Sequence, residues 1–196
     1  MTKEKIWNVP NALTMVRMLL IPVYWVLFMN DHRYIALTVF ALASLTDLLD
    51  GYIARKYHLV TDFGKLMDPL ADKLMVISVM LSLALKGLAP WMALLILLCK
   101  EGLMVLGGAV LLKKGVVVYA NKMGKAAQAT VVAGLLLCFF GEWLEKNLGF
   151  PLHQAVIWCA VALTLCALGV YARNALNLYR RAGGAPGADH NSLSEE

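Results

Sequence analysis

The sequence predicts an all-α integral membrane protein, a six-transmembrane-helix bundle with N- and C-termini in the cytoplasm. Three observations lead there. Of the 196 residues, 60% are hydrophobic and 16% charged, against roughly a quarter charged in an ordinary soluble domain. Six runs reach the ~20 mostly apolar residues that a helix needs to cross a bilayer. Lysine and arginine crowd into alternate connections between those runs.

The runs lie near 12–30, 34–56, 65–86, 90–112, 124–144 and 152–179. The stretch before the first, "MTKEKIWNVP", lacks the short apolar core and small-residue cleavage site of a secretory signal, so it is expected to be retained. Arg17 interrupts the first span near its start, where a long side chain can snorkel to the interface. Spans two and three are recognised partly from their flanks, because Asp47, Asp50, Asp68 and Asp72 fall inside them. Span four carries Lys100 and Glu101. Residues 1–180 form one membrane domain, and the small, polar tail 181–196 is expected to be disordered. A chain of this length leaves no room for a separate soluble catalytic domain.

The basic residues set the orientation. Lys3 and Lys5 precede span one, Arg55, Lys56 and Lys65 separate spans two and three, Lys113, Lys114, Lys122 and Lys125 separate four and five, and Arg180 and Arg181 follow six. The opposite connections offer Arg33, Lys86 and Lys146. The positive-inside rule then places both termini and the two richer loops in the cytoplasm. The net charge of +5 suits an anionic membrane surface and gives no reason to invoke nucleic acid. Cys99, Cys138, Cys159 and Cys166 lie in apolar runs without C-x-x-C pairing, which argues for packing residues rather than a disulfide framework or zinc site. The five tryptophans fall mostly near span ends, as interfacial anchors do.

The four aspartates are the costly feature. A carboxylate at the centre of a membrane helix costs at least ~2.5 kcal/mol on the most lenient scale. Residues 47, 50, 51 and 54 stand at i, i+3, i+4 and i+7, and 64, 68 and 72 at i, i+4 and i+8, so each set lines one helix face. In the predicted topology both sets occupy the cytoplasmic halves of neighbouring antiparallel helices, and a short hairpin would bring the two faces together. Four converging carboxylates need a cation. Oxygen ligands without histidine or cysteine point to a hard divalent ion, Mg²⁺ or Mn²⁺ with Ca²⁺ as another candidate, and four carboxylates suffice for two such ions. Gly51 and Gly64 leave bare backbone on the acidic face, and Arg55 stands one turn from Gly51, able to donate to a phosphate. Two other readings use the same residues: ion pairs of Asp47 or Asp50 with Arg17, and a pathway in a divalent-cation transporter. Against transport, no duplicated half is evident and the polar residues cluster on one side.

Written as a pattern, the stretch is Asp47-x-x-Asp50-Gly51-x-x-Ala54-Arg55, eight residues, then Gly64-x-x-x-Asp68-x-x-x-Asp72. It resembles the signature of the CDP-alcohol phosphatidyltransferases at every fixed position and spacing. The resemblance implies that Asp47, Asp50, Asp68 and Asp72 bind metal, with two Mg²⁺ (or Mn²⁺) ions expected. It implies that Asp72 is the general base, and that Asp50, Gly51, Ala54, Arg55 and Gly64 bind the CDP moiety. The implied reaction is attack of an acceptor hydroxyl on the phosphorus next to the diacylglycerol of CDP-diacylglycerol, releasing CMP, at a site facing the cytoplasm from a bacterial inner membrane. Membrane lipid is then both solvent and substrate, and a homodimer is expected, as among similar proteins.

The acceptor is less sharply marked. "NVPNALTMVRMLLIPV", "GKLMDPLADK" and the Lys122-x-x-Lys125-x-x-Gln128 spacing resemble the branch whose acceptors are glycerol 3-phosphate or phosphatidylglycerol. The surplus of basic residues favours a phosphorylated small acceptor, glycerol 3-phosphate first and an inositol phosphate second. Lys122, Lys125, Lys100 and Arg173 are the candidates for holding its phosphate. The same lysines in a bland role would only set topology and snorkel.

Overall fold

The computed structural model describes residues 8–56, 61–113 and 122–183. Side chains at several helix-end positions, those of Asp50, Gly51, Ala54, Arg55 and Lys122 among them, lie outside that description. The described residues form seven helices: α1 (Val9–Met29), α2 (Arg33–Lys56), α3 (Asp62–Leu85), α4 (Trp91–Lys113), α5 (Lys122–Cys138), α6 (Gly141–Leu148) and α7 (Leu152–Gly183). α7 runs past the predicted end of the domain, and the rest of the expected tail lies outside the described residues.

Large apolar side chains cover the exterior: Leu19, Val26, Leu103, Leu106 and Val110 are all exposed, as lipid-facing residues are. By length and composition, Asn11–Met29, Trp91–Gly108 and Leu152–Leu178 each suffice to cross a membrane, and Met123–Cys138 with Gly141–Leu148 makes a fourth candidate, bent by 82°. The chain is therefore an all-helical, multi-pass membrane protein. α2 and α3, which carry the aspartates, are each 24 residues long but are not among these candidates.

The expected continuous helix over 124–144 is corrected by that bend. The amide groups of Phe139 and Phe140 bond back only three residues, to Leu136 and Leu137, which tightens and ends the last turn of α5. Arg33 donates from Nη2 to the Cys138 carbonyl at 2.9 Å, satisfying a group the break leaves over. The sequence beyond, "GEWLEKNL", is too polar to continue a buried helix. It forms the short α6, with Glu142 in its first turn and Lys146 in its last, each matched to the helix dipole. Gly149, at φ 72°, closes α6 in the left-handed conformation that glycine tolerates best.

The core lies between α1, α2, α3, α4, α5 and α7, and in it Tyr24, Phe28, Phe40 and Phe139 stack or meet edge to face. Tyr24 and Ser82 share a buried hydrogen bond of 2.7 Å that ties α1 to α3. α5 and α7 pack most intimately, and Gly134 permits it: a Cβ there would stand 3.2 Å from Ile157 Cδ1 and 3.4 Å from the Ile157 amide nitrogen. Small residues serve such contacts where no water drives helices together. Gly134→Leu overfills this contact and should cost about 1–3 kcal/mol. A thermal melt in detergent checks this, and an unchanged midpoint would contradict the packing.

Three of the four cysteines, Cys99, Cys159 and Cys166, face outward, and only Cys138 is buried in the core; all four are free. On the turn from α1 to α2, Asp31 pairs with Lys86 at 2.7 Å. Lys86, by hydrogen bond and then by charge, lowers the Asp31 carboxyl from its ordinary pKa. The pair therefore supports the fold above the unfolded carboxyl's pKa and loses that support as pH falls through the lowered value. Both groups are solvated, so Asp31→Asn should leave the melting midpoint at pH 7 nearly unchanged.

Candidate active site

One face of α1 organises the polar end of the bundle. Asn11, Thr14 and Arg17 follow at i, i+3 and i+6, and all three are buried, Arg17 to 1% exposure. Arg17 Nη1 lies 2.8 Å from Asp47 Oδ1 on α2. Thr14 donates its hydroxyl to Asp68 Oδ1 on α3. Asn11 and Thr61 exchange side-chain hydrogen bonds at 3.0 and 3.1 Å, while Thr61 caps α3 by accepting from the Gly64 amide at 3.1 Å. A Cβ at Gly64 would stand 2.8 Å from Asn11 Oδ1, so the glycine lets α1 approach the start of α3.

The two acidic faces thus meet through a third helix. Among the described residues α2 and α3 touch each other little and pack along α1 instead; residues 57–60, where the expected hairpin falls, lie outside the described residues. The physical reason is charge: the guanidinium and hydroxyl of α1 stand where two carboxylate faces would otherwise repel. Asp47 and Asp68 remain within electrostatic reach of one another, as do Asp47 and Asp72.

Asp72 sits one helical turn beyond Asp68. Gln128 of α5 donates from Nε2 to Asp72 Oδ2 at 3.1 Å. Beside it, Lys73 reaches across to Glu101 Oε2 of α4 at 2.6 Å, and Lys100 contacts the other oxygen of the same carboxylate. Asp47, Asp72, Lys73, Lys100, Glu101, Lys125 and Gln128 line a cavity of about 660 Å³ whose remaining wall, including Met80, Leu94, Leu97, Val131 and Val132, is largely apolar. A few convergent polar groups on an apolar wall are what a small-molecule site needs. Here they suit a molecule that is polar at one end and greasy at the other.

Comparison with known proteins bears on the same residues. The family model for CDP-alcohol phosphatidyltransferase matches residues 7–166. The chain belongs to the CDP-alcohol phosphatidyltransferase family. Among curated relatives in the family, the CDP-diacylglycerol–glycerol-3-phosphate 3-phosphatidyltransferase of Bacillus subtilis is 35% identical over 177 residues, covering 81% of this chain and 90% of its own. The protein of the same name from Cereibacter sphaeroides is 34% identical over 163 residues, 78% of this chain and 72% of its own. That from Rickettsia typhi reaches 46% identity over 97 residues, about half of either chain at 48% and 54%. This chain is accordingly a CDP-alcohol phosphatidyltransferase, an enzyme of phospholipid biosynthesis.

Of the residues the family resemblance marks, the structure brings Asp47, Asp68 and Asp72 to one end of the bundle. Asp50, Gly51, Ala54 and Arg55 continue α2 toward its end, with their side chains outside the described residues. Lys125 and Lys100 reach the cavity, Lys100 already paired with Glu101. Arg173 is exposed on α7 and is not part of the cavity wall; the Lys122 side chain lies outside the described residues. Sequence reading missed Thr14 and Lys73, and weighed Arg17 only as one pairing option. The signal for α1 was present: polar residues at three-residue spacing in an otherwise apolar helix.

The donor set is compatible with divalent metal. It offers only hard oxygen ligands, and the bonds from Arg17, Thr14 and Gln128 reach Asp47 through Oδ1, Asp68 through Oδ1 and Asp72 through Oδ2. Repulsion between neighbouring carboxylates is what a bound cation relieves. Among the described residues no three such side chains converge on one point; Asp50, the fourth carboxylate, is outside that description.

Proposed function

We propose that this chain transfers the phosphatidyl group of CDP-diacylglycerol to sn-glycerol 3-phosphate, giving phosphatidylglycerophosphate and CMP. The observation that carries the reading is a single cavity that holds Asp47 and Asp72, three lysines and a deep apolar wall, in a chain whose relatives bear that reaction in their names. An amphiphile can enter it with its head among the charges and its chains in lipid. We read the bundle as six spans, the bent α5–α6 pair counting as one, with both termini and the aspartates toward the cytoplasm of a bacterial inner membrane. The basic loops support that orientation. We also read the protein as a homodimer.

Asp47, Asp50, Asp68 and Asp72 would hold Mg²⁺ or Mn²⁺, two ions in our reading. Bound there, the metal supplies Lewis-acid neutralisation of the pyrophosphate and of departing CMP. Gly51, Ala54, Arg55 and Gly64 lie where the CDP moiety would rest on the backbone of α2 and α3. Asp72 takes the proton of the acceptor hydroxyl through Oδ1 while Gln128 fixes Oδ2. The surrounding apolar wall keeps bulk water, a competing acceptor, from the reacting phosphorus. Losing the Gln128 bond should misorient the base: Gln128→Leu is expected to lower kcat about tenfold, the worth of one hydrogen bond to a charged group. Its KM for CDP-diacylglycerol should stay near wild type, and an unchanged kcat would remove Gln128 from the mechanism.

The acceptor is tested by incubating purified protein in nanodiscs with CDP-diacylglycerol and Mg²⁺, offering glycerol 3-phosphate, phosphatidylglycerol, inositol and inositol phosphate separately, and measuring CMP. CMP with glycerol 3-phosphate alone is the expected result. CMP only with phosphatidylglycerol or an inositol phosphate would keep the chemistry and replace the acceptor.

A further inference from the structure

We infer that Lys73 and Lys100 form the subsite for the phosphomonoester group of the acceptor, and that Glu101 is the positioning residue that holds both ammonium groups on the cavity wall beside Asp72. The inference rests on the reading that this cavity performs phosphatidyl transfer, and it deepens that reading. It starts from a cluster that structure alone does not require. Lys73 leaves α3 and Lys100 leaves α4, yet both end on the two oxygens of one carboxylate, Lys73 at 2.6 Å from Oε2 and Lys100 on Oε1. Three charged side chains, partly buried within membrane-length helices, are expensive, and such groups mark function by default. A purely structural tie between α3 and α4 would need one cation for one anion. The second lysine leaves the cluster with one net positive charge, and Lys125 on the same cavity wall adds another.

Asp47, paired with Arg17, and Asp72 line the same cavity, so the positive charge is local to the corner formed by Lys73, Lys100 and Lys125, where it suits a phosphomonoester held beside Asp72. Glu101 makes the arrangement stable before the acceptor arrives, because two ammonium groups this close would repel without it. Placement fits the chemistry as well. Asp72 is within electrostatic reach of both Lys73 and Glu101, so an acceptor anchored on the lysines presents its hydroxyl to the carboxylate proposed as base. Lys73 directly follows Asp72, yet its side chain reaches α4 while Asp72 is held from α5. Both groups leave α3 at adjacent positions and line the one cavity, each held by a partner on a different neighbouring helix. A neutral acceptor would gain nothing from the pair.

The test is titration calorimetry of glycerol 3-phosphate into the detergent-purified full chain, with inorganic phosphate and glycerol as comparison probes, followed by the CMP assay. Wild type should bind glycerol 3-phosphate and phosphate but not glycerol. Lys73→Gln and Lys100→Gln should each weaken glycerol 3-phosphate binding about tenfold or more, the scale of one charge-assisted contact. Lys73→Arg, which keeps charge and reach, should retain it. Glu101→Gln should weaken binding severalfold by releasing the lysines from their shared anchor. In turnover, KM for glycerol 3-phosphate should rise in both lysine variants while KM for CDP-diacylglycerol stays put. Folded lysine variants that bind like wild type would overturn the subsite, as would a rise confined to the CDP-diacylglycerol KM. Binding that follows this pattern without any CMP would uphold the subsite and defeat the transfer reaction instead.

Discussion

Asp72→Asn is expected to lower CMP release by about 10²–10⁴-fold, the usual contribution of a positioned general base. The substitution is nearly isosteric, so the cavity and the contact with Gln128 can survive it, while the proton acceptor is gone. Divalent-metal binding should persist in this variant, because Asp47, Asp50 and Asp68 remain. The comparison to make is CMP formation beside Mn²⁺ binding measured by paramagnetic resonance on the same preparation. Retention of activity within threefold would show that another group takes the proton. Loss of metal binding together with activity would assign Asp72 to the ion instead of the base.

Arg17→Met should have the second-largest effect, and it should fall on stability. The guanidinium is 1% exposed and 2.8 Å from Asp47, so its removal leaves a carboxylate uncompensated among other carboxylates. Breaking a buried pair from one side costs about 3–5 kcal/mol. Asp47 reaches the cavity and keeps access to water, which brings the expectation down to about 2–3 kcal/mol. The double variant Arg17→Met with Asp47→Asn should recover part of that loss, and a double-mutant cycle of melting midpoints measures how much. Mg²⁺ should protect Arg17→Met against melting more than it protects wild type, since a bound cation replaces the missing charge. If Arg17→Met melts like wild type in EDTA, the ion pair does not organise the acidic faces.

How far the sequence disclosed this depended on how local each signal was. The helices were legible because apolar runs of bilayer length leave few alternatives, and five of the predicted spans meet their helices within a few residues at each described end. The fifth was legible only in part: the polar turn at "GEWLEKNL" is local, but the partner that satisfies the Cys138 carbonyl at the break, Arg33, is distant in sequence. The aspartate spacing was legible because helical periodicity is a property of the chain itself. What brings those aspartates together was not. It required knowing that α1 lies between α2 and α3, and that the Asn11, Thr14 and Arg17 face turns toward them. The Lys73–Glu101 contact was hidden for the same reason: adjacency in sequence makes Lys100 and Glu101 look like a pair, and only packing shows the second lysine.

The measurement that bears most directly on the central claim is CMP formation by purified protein with CDP-diacylglycerol and glycerol 3-phosphate, followed with Mg²⁺, with EDTA, and with Mg²⁺ restored. Phosphatidylglycerophosphate should be quantified in the same samples. The account predicts equal amounts of the two products, loss of both on chelation, and recovery of both on adding metal back. Divalent-cation flux across proteoliposomes with no CMP at any metal concentration would contradict it and leave the carboxylates as an ion pathway.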